Sequence, residues 1–154
     1  MTIRRAQKTD IPALEKLLLQ ILLVHHQARP DLFTAKGGKY SRDELEGLIA
    51  DEKRPVFVYE DKEGHVLGHL FTVIQEAKAP AVPHKTLFID DLCVDEKARG
   101  QKIGSELYQF ALKYAREIGC YNLTLNVWND NLGALRFYEH QGLRAQETRL
   151  EQIL

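Results

Sequence analysis

Cysteine is scarce. Only Cys93 and Cys120 occur, with no C-x-x-C spacing and no Cys/His cluster, which argues against a disulfide framework and a structural zinc site. A reducing cytoplasm suits such a chain. Neither sign of charge is in excess: 21 Lys and Arg against 22 Asp and Glu leave a formal net charge of −1. The global positive field of a non-specific nucleic-acid binder is missing, and no nucleic-acid partner is expected. Long apolar runs are missing too. The longest, Leu17 to Val24, is interrupted by Gln20 and ends at His25 and His26, far short of the ~20 residues of a membrane span. The polar stretch Met1 to Asp10 is followed by no apolar h-region, so nothing reads as a secretory signal. No G-x-x-x-x-G-K-[ST] occurs and no G-x-G-x-x-G follows a strand, which leaves nucleoside triphosphates and dinucleotides without support.

What is present fits one compact domain over residues 1–154, with 44% hydrophobic and 28% charged content. A chain of this length buries about two thirds of its unfolded surface and needs no staple. Thr2 to Ala6 alternates as a short strand, and Thr9 or Asp10 can cap a helix that tolerates Pro12 in its first turn and runs to about Gln27. Ile11, Leu14, Leu18, Ile21, Leu22 and His25 make its apolar face. Ser41 with Glu44 is a capping box opening a second helix to about Ala50. Val56 to Tyr59, a turn at Asp61 to Gly64, and Val66 to Ile74 read as an antiparallel hairpin. Thr86 to Val94 is a further strand. Ile103, Leu107, Phe110, Ala111, Tyr114 and Ile118 repeat at helical spacing up to Gly119. Leu123 to Val127 is again a strand, Asn131 to His140 a short helix, and the tail from Leu143 can supply one or two last strands. Hairpins followed by strand-helix alternation predict a mixed α/β (α+β) sheet, mostly antiparallel and flanked by about four helices.

Two segments carry chemistry. Asp95 to Gly104 is a charged, glycine-punctuated turn between a strand and a helix, where free N–H groups and the positive end of a helix dipole suit a phosphate or pyrophosphate. Gly100 and Gly104 permit close backbone approach, and Arg99 and Lys102 add charge. A solvated connection is the bland alternative. Phe88-Ile89-Asp90-Asp91-Leu92-Cys93-Val94 puts a carboxylate pair in an otherwise apolar strand. Alternation points Asp90 with Phe88 and Leu92, and Asp91 the other way, unless a bulge exchanges the faces. Other residues read more plainly: Cys93 as a small hydrophobe, His25 as a core-edge residue and Trp128 as a packing anchor. His65 and His69 share a strand face without a third ligand, so no metal site is expected.

Val94 to Ser105 resembles the acyl-CoA pyrophosphate loop of the GNAT superfamily of N-acetyltransferases, written Q/R-x-x-G-x-G/A. Asn131-Leu132-Gly133-Ala134-Leu135-Arg136-Phe137-Tyr138, followed by Gly142-Leu143, is similar to that superfamily's N-x-x-A-x-x-F-Y-x-x-x-G-F element. The order of motifs and elements extends the resemblance over the whole chain. Lys102 stands at the motif's usual first glycine, and Leu143 replaces its phenylalanine.

The resemblance implies an enzyme using acetyl-CoA as co-substrate and no metal. Its pyrophosphate would lie on Arg99, Gly100, Gln101, Lys102, Ile103, Gly104 and Ser105, with the pantetheine arm along the backbone of Leu92, Cys93 and Val94 like an added strand. It further implies that Asn131 steadies the coenzyme and that the Tyr138 hydroxyl protonates the departing thiolate. The acidic strand looks like that of polyamine acetyltransferases, where an acid at the place of Asp90 acts as base, directly or through water; Asp91 is the second candidate. Substrate contacts are expected from His26, Arg29, Phe33 and Asp90. A small polyamine or diamine is the expected acceptor. The alternatives are a protein N-terminal or lysine acetyltransferase and, from another class, a CoA-binding regulatory module without turnover. A cytoplasmic homodimer without membrane attachment completes the expectation.

Overall fold

The computed structural model describes residues 1–154. Its strands are β1 (Thr2–Arg5), β2 (Val56–Glu60), β3 (Val66–Ala77), β4 (His84–Val94) and β5 (Asn122–Leu125), joined in that order into one sheet. Neighbours are antiparallel from β1 to β4, and β5 runs parallel to β4. The helices are α1 (Ile11–Ala28), α2 (Arg42–Ala50), α3 (Ile103–Glu117) and α4 (Leu132–His140). The mixed, mostly antiparallel sheet with four flanking helices is as the pattern predicts. None of the helices is long and apolar enough to cross a membrane.

The continuous apolar run of β2 is buried on both faces, as such runs are when helices cover a sheet on two sides. Val56 and Val58 face a core shared with Ile11, Leu14 and Leu18 of α1 and Leu45 and Leu48 of α2. Phe57 and Tyr59 face the other core, built on Ile103, Leu107 and Ala111 of α3. Each helix is set by local signals. In α2, Ser41 Oγ accepts from the Glu44 amide at 3.1 Å while Glu44 Oε1 accepts from the Ser41 amide at 3.0 Å, a reciprocal cap of the kind worth about 1 kcal/mol. Asp10 does not cap α1 with its side chain. Its buried carboxylate takes two bonds from the Arg4 guanidinium, at 2.8 and 3.0 Å, and one from the Gln7 amide at 2.7 Å.

Three expectations are corrected. The tail beyond Leu143 forms no strand: after the Leu143 amide bonds Tyr138, no tail amide has a backbone partner, and Leu150, Ile153 and Leu154 are exposed. His65 does not share a strand face with His69. It lies in the turn, where Asp61 Oδ1 captures its amide at 2.8 Å, while His69 is buried within β3. Trp128 is 41% exposed and so anchors no core.

Close packing of α3 on the sheet rests on Gly68. A Cβ there would stand 3.0 Å from the Cys93 carbonyl oxygen and 3.0 Å from a Leu107 methyl, and the first of these is backbone that cannot swing aside. Gly68→Ala is expected to lower unfolding free energy by about 1–3 kcal/mol, the usual cost of overpacking, read as a lower urea midpoint at unchanged m-value.

Candidate active site

The site begins at an irregularity in β4. Its register with β3 pairs Phe71 with Asp91 but Thr72 with Ile89, so Asp90 is one residue too many and the strand bulges. On its other edge β4 pairs with β5 only from Thr86↔Asn122 to Ile89↔Leu125. Both events fall at the same place. From Asp90 to Val94 the strand has no neighbour on the β5 side, and the two parallel strands bound a wedge. This is also why β5 stops at Leu125, short of the predicted Val127.

The bulge overturns the simple alternation of the acid pair. Asp90 points with Phe88, opposite Leu87 and Ile89 of the α3 core, but no longer with Leu92, which packs against that same core. Its carboxylate takes the Tyr40 hydroxyl and, at 2.9 Å, the Lys39 ammonium, and the Tyr40 ring stacks on Phe71 at 5.7 Å. Asp91, in register with that same Phe71, accepts at Oδ2 from His69 Nε2 at 2.5 Å. Both acids therefore lie on the side covered by α1 and α2. They differ in what is left free: Asp90 is matched by an ammonium, whereas Asp91 Oδ1 has no protein partner and is not sealed from solvent.

Several groups feel the Asp91 charge. Burial holds the His25 imidazole below its usual range, with Asp91 opposing and Lys39 assisting. Burial pushes the Cys93 thiol up to about 12, with Asp91 adding to it. Its Sγ donates to the Leu17 carbonyl at 3.5 Å, so Cys93 is a packed thiol and no nucleophile. The Tyr138 hydroxyl is raised well above its usual value by burial first and then by Asp91. It makes no hydrogen bond within the protein, and its ring lies 6.2 Å from Tyr108 and 5.1 Å from Phe137. A tyrosine so placed keeps its proton at neutral pH and can donate it.

At the C-terminal end of β4 the buried Asp95 fixes the following turn. Its Oδ1 accepts from the Lys97 amide at 3.0 Å, and Lys16 lies 3.3 Å from Oδ2. The Lys97 amide chiefly, and then Lys16, outweigh burial and hold this carboxyl below the usual range. Beyond it, no backbone N–H from Arg99 through Ser105 donates to any atom of the protein. Gly100 and Lys102 are left-handed, at φ 84° and 64°, and such residues among consecutive free amides form a concave nest for an anion. Arg99, Gln101 and Lys102 are exposed and Ile103 is buried. Ser105 Oγ accepts from Gln141 Nε2 at 3.0 Å, and a Cβ on Gly104 would stand 3.5 Å from the Phe137 ring. The start of α3 is thus seated directly on α4.

Asn131 caps α4, its Oδ1 accepting from the Ala134 amide at 3.2 Å, which leaves its side-chain Nδ2 unengaged. It also lines a cavity of about 330 Å³, walled by His25, Arg29, Phe33, Trp128 and Asp130 among others. Phe33 stacks on His25 at 5.0 Å and meets Trp128 edge-on at 5.4 Å. Of the residues expected to touch substrate, Arg29 and Phe33 line this space. His26 does not: its ring is tied by Nδ1 to the Phe33 carbonyl at 2.6 Å, and His25, expected to be packing, takes its place. The roles are exchanged because α1 passes over the end of the wedge, so its apolar stripe borders a cavity at its last turn. His69 is the residue that the sequence reading missed. Its signal was a lone imidazole in an apolar strand, facing an acid on the next strand only once register is known.

The sequence profile of the acetyltransferase (GNAT) family matches residues 21–143, and the chain belongs to that family. Streptothricin acetyltransferase of Streptomyces lavendulae is 32% identical over 111 residues, which are 72% of this chain and 54% of that protein. The chain spans 54% to 59% of the length of the curated relatives it matches. A crystal structure of the tetramutant of BH1408 protein from Bacillus halodurans superposes over all of both chains with a TM-score of 0.96 at 27% identity. A Trypanosoma brucei acetyltransferase covers 99% of both with a TM-score of 0.70 at 25% identity.

Lys102 is the only non-glycine residue with positive φ, standing where the motif has glycine. A side chain there costs roughly 1–2 kcal/mol, of which glycine returns part through its freer unfolded chain, about 0.4–1 kcal/mol. Lys102→Gly is expected to stabilise the fold by a net ~0.5–1 kcal/mol in urea unfolding.

Proposed function

We propose that the chain is a single catalytic domain that transfers an acetyl group from acetyl-CoA to a small primary amine by direct attack, without an acyl-enzyme. The observation that carries this reading is the run of unpartnered amides from Arg99 to Ser105, at the end of the strand that leaves β5 to form the wedge. Consecutive free N–H groups, two left-handed residues and the start of a helix fit a diphosphate. The exposed Arg99 and Lys102 add charge beside it. The unpaired edge of β4 over Leu92, Cys93 and Val94 fits an extended arm laid alongside as a further strand.

A bound acetyl-CoA supplies a thioester carbonyl and a thiol leaving group. Asp91 Oδ1 takes the proton of the incoming ammonium, freeing the nitrogen lone pair for the new N–C bond. The Tyr138 hydroxyl gives its proton to sulfur as the C–S bond breaks, and the second proton of the attacking nitrogen, made acidic by the new N–C bond, passes to the tyrosinate directly or through water, which restores the hydroxyl. In this reading Asp90 is no base, because Lys39 and Tyr40 already occupy it. Amine and base stand together in a site partly closed from water, where the charge of Asp91 also draws a cationic acceptor inward.

The cavity beside His25, Phe33 and Trp128, at about 330 Å³, has the size of a small-ligand site. With Asp90 neutralised by Lys39, one carboxylate remains for one ammonium, and Asp130 in the cavity wall offers a place for a second charge. These features support a small cationic amine, diamines included.

The test is thiol release from acetyl-CoA over a panel of monoamines, diamines, aminoglycosides and peptides. Turnover is expected with a small amine. Asp91→Asn is expected to lower kcat by about 10²–10⁴-fold, the range of a general base, and Asp90→Asn by less than about tenfold. Tyr138→Phe is expected to lower kcat more than acetyl-CoA affinity. Turnover with peptides alone would move the acceptor to proteins, and CoA binding without any thiol release would make the chain a binding module.

A further inference from the structure

The proposed reaction gives one buried group, His69, no task. His69 is 0% exposed, in a β3 position flanked by apolar residues, where burying a polar ring carries a cost that packing alone does not return. One ring nitrogen is engaged: Nε2 lies 2.5 Å from Asp91 Oδ2. The other, Nδ1, is shut away from solvent with no hydrogen-bond partner. That asymmetry fixes the tautomer. The proton sits on Nε2, where a carboxylate receives it, and Nδ1 keeps its lone pair, because an N–H there would be buried without an acceptor. The Phe71 ring meets the imidazole edge-on at 4.8 Å and holds its plane.

We propose that His69 is a positioning residue that grips Asp91 by Oδ2 and turns Oδ1 toward the acceptor amine. The proposal rests on Asp91 as the base. It differs from a proton relay, since a blind Nδ1 can hand nothing onward. The same bond spares Asp91 the pairing with an ammonium that occupies Asp90, leaving it basic yet held. The other groups around Asp91 do not replace this donor. His25 of α1 is held uncharged by burial, and Lys39 and Tyr40 are bound to Asp90. Cys93 on β4 and Tyr138 of α4 keep their protons. Without His69, Asp91 would be a half-buried carboxylate with no hydrogen-bond donor from the protein, and partial burial favours its neutral form.

The test compares two amides that differ in reach. The His69→Gln side chain can carry an N–H to the place of Nε2, whereas that of His69→Asn falls short. His69→Asn is expected to lose roughly 10- to 100-fold in kcat, less than a base removed outright, with CoA affinity by calorimetry unchanged. The acid limb of its kcat/KM profile for the amine should move up by about one pH unit. His69→Gln is expected to recover most of the rate and the wild-type profile. Equal behaviour of the two variants, or a His69→Asn profile superposed on wild type, overturns the proposal. On the unmutated protein, ¹⁵N imidazole shifts should give the neutral His69 ring as the Nε2–H tautomer, and a neutral ring protonated on Nδ1 instead overturns it without any variant having to fold. Asp91→Asn separates the two ideas. If that change leaves turnover intact, the base is misassigned; if it abolishes turnover while the His69 results fail, only the role of His69 falls.

Discussion

Where β4 carries one residue more than β3 can pair, at Asp90, the sheet gives up its last parallel neighbour, and the rest of the site follows from that surplus residue. A bulge leaves backbone groups unpaired and costs stability unless something else satisfies them. Lys39 does so for the Asp90 carbonyl at 3.0 Å and also holds the Asp90 carboxylate at 2.9 Å. Tyr40 adds its hydroxyl, and Arg54 donates to that hydroxyl at 3.2 Å. Asp90 is therefore a fastening that keeps the strand bent. The bend carries Asp91 to the side of His69 and frees the edge from Asp91 to Val94. Two adjacent acids end in opposite circumstances, one consumed by structure and the other left with an open oxygen.

The turn after β4 is built on the same principle of groups withheld from internal pairing. Asp95 ties its beginning, Gln141 and Phe137 of the α4 region seat its end, and the amides between are left without partners. An unpaired N–H is tolerable at a solvent-facing helix start and is useful only if an anion comes to it. The left-handed backbone at Lys102 adds strain at the same spot, which is where strained residues concentrate when a site is preorganised.

Much of this was legible beforehand. The Ser41 and Glu44 box, the stop at Gly119 and the 3.6-residue period of α3 placed helices to within a residue or two, because those signals are local. The two motifs located the nest and α4 for the same reason. What escaped was set by register. Strict alternation put Asp90 and Asp91 on opposite faces, and one extra residue cancelled that inference. His69 could not be matched to Asp91 until the β3 and β4 partners were known. His25 and His26 were exchanged because helical periodicity identifies the inward face but not where that face runs past the edge of the core. The tail from Leu143 has room for one or two last strands, yet its amides find no partners within the chain.

The most direct test of the account is a ¹H–¹⁵N titration of the protein with CoA, followed amide by amide. The account predicts saturable shifts concentrated at Arg99 to Ser105, continuing along Asp91 to Val94, with β1 and β2 still. Saturation that leaves those amides unmoved, or no binding at millimolar CoA, would contradict it.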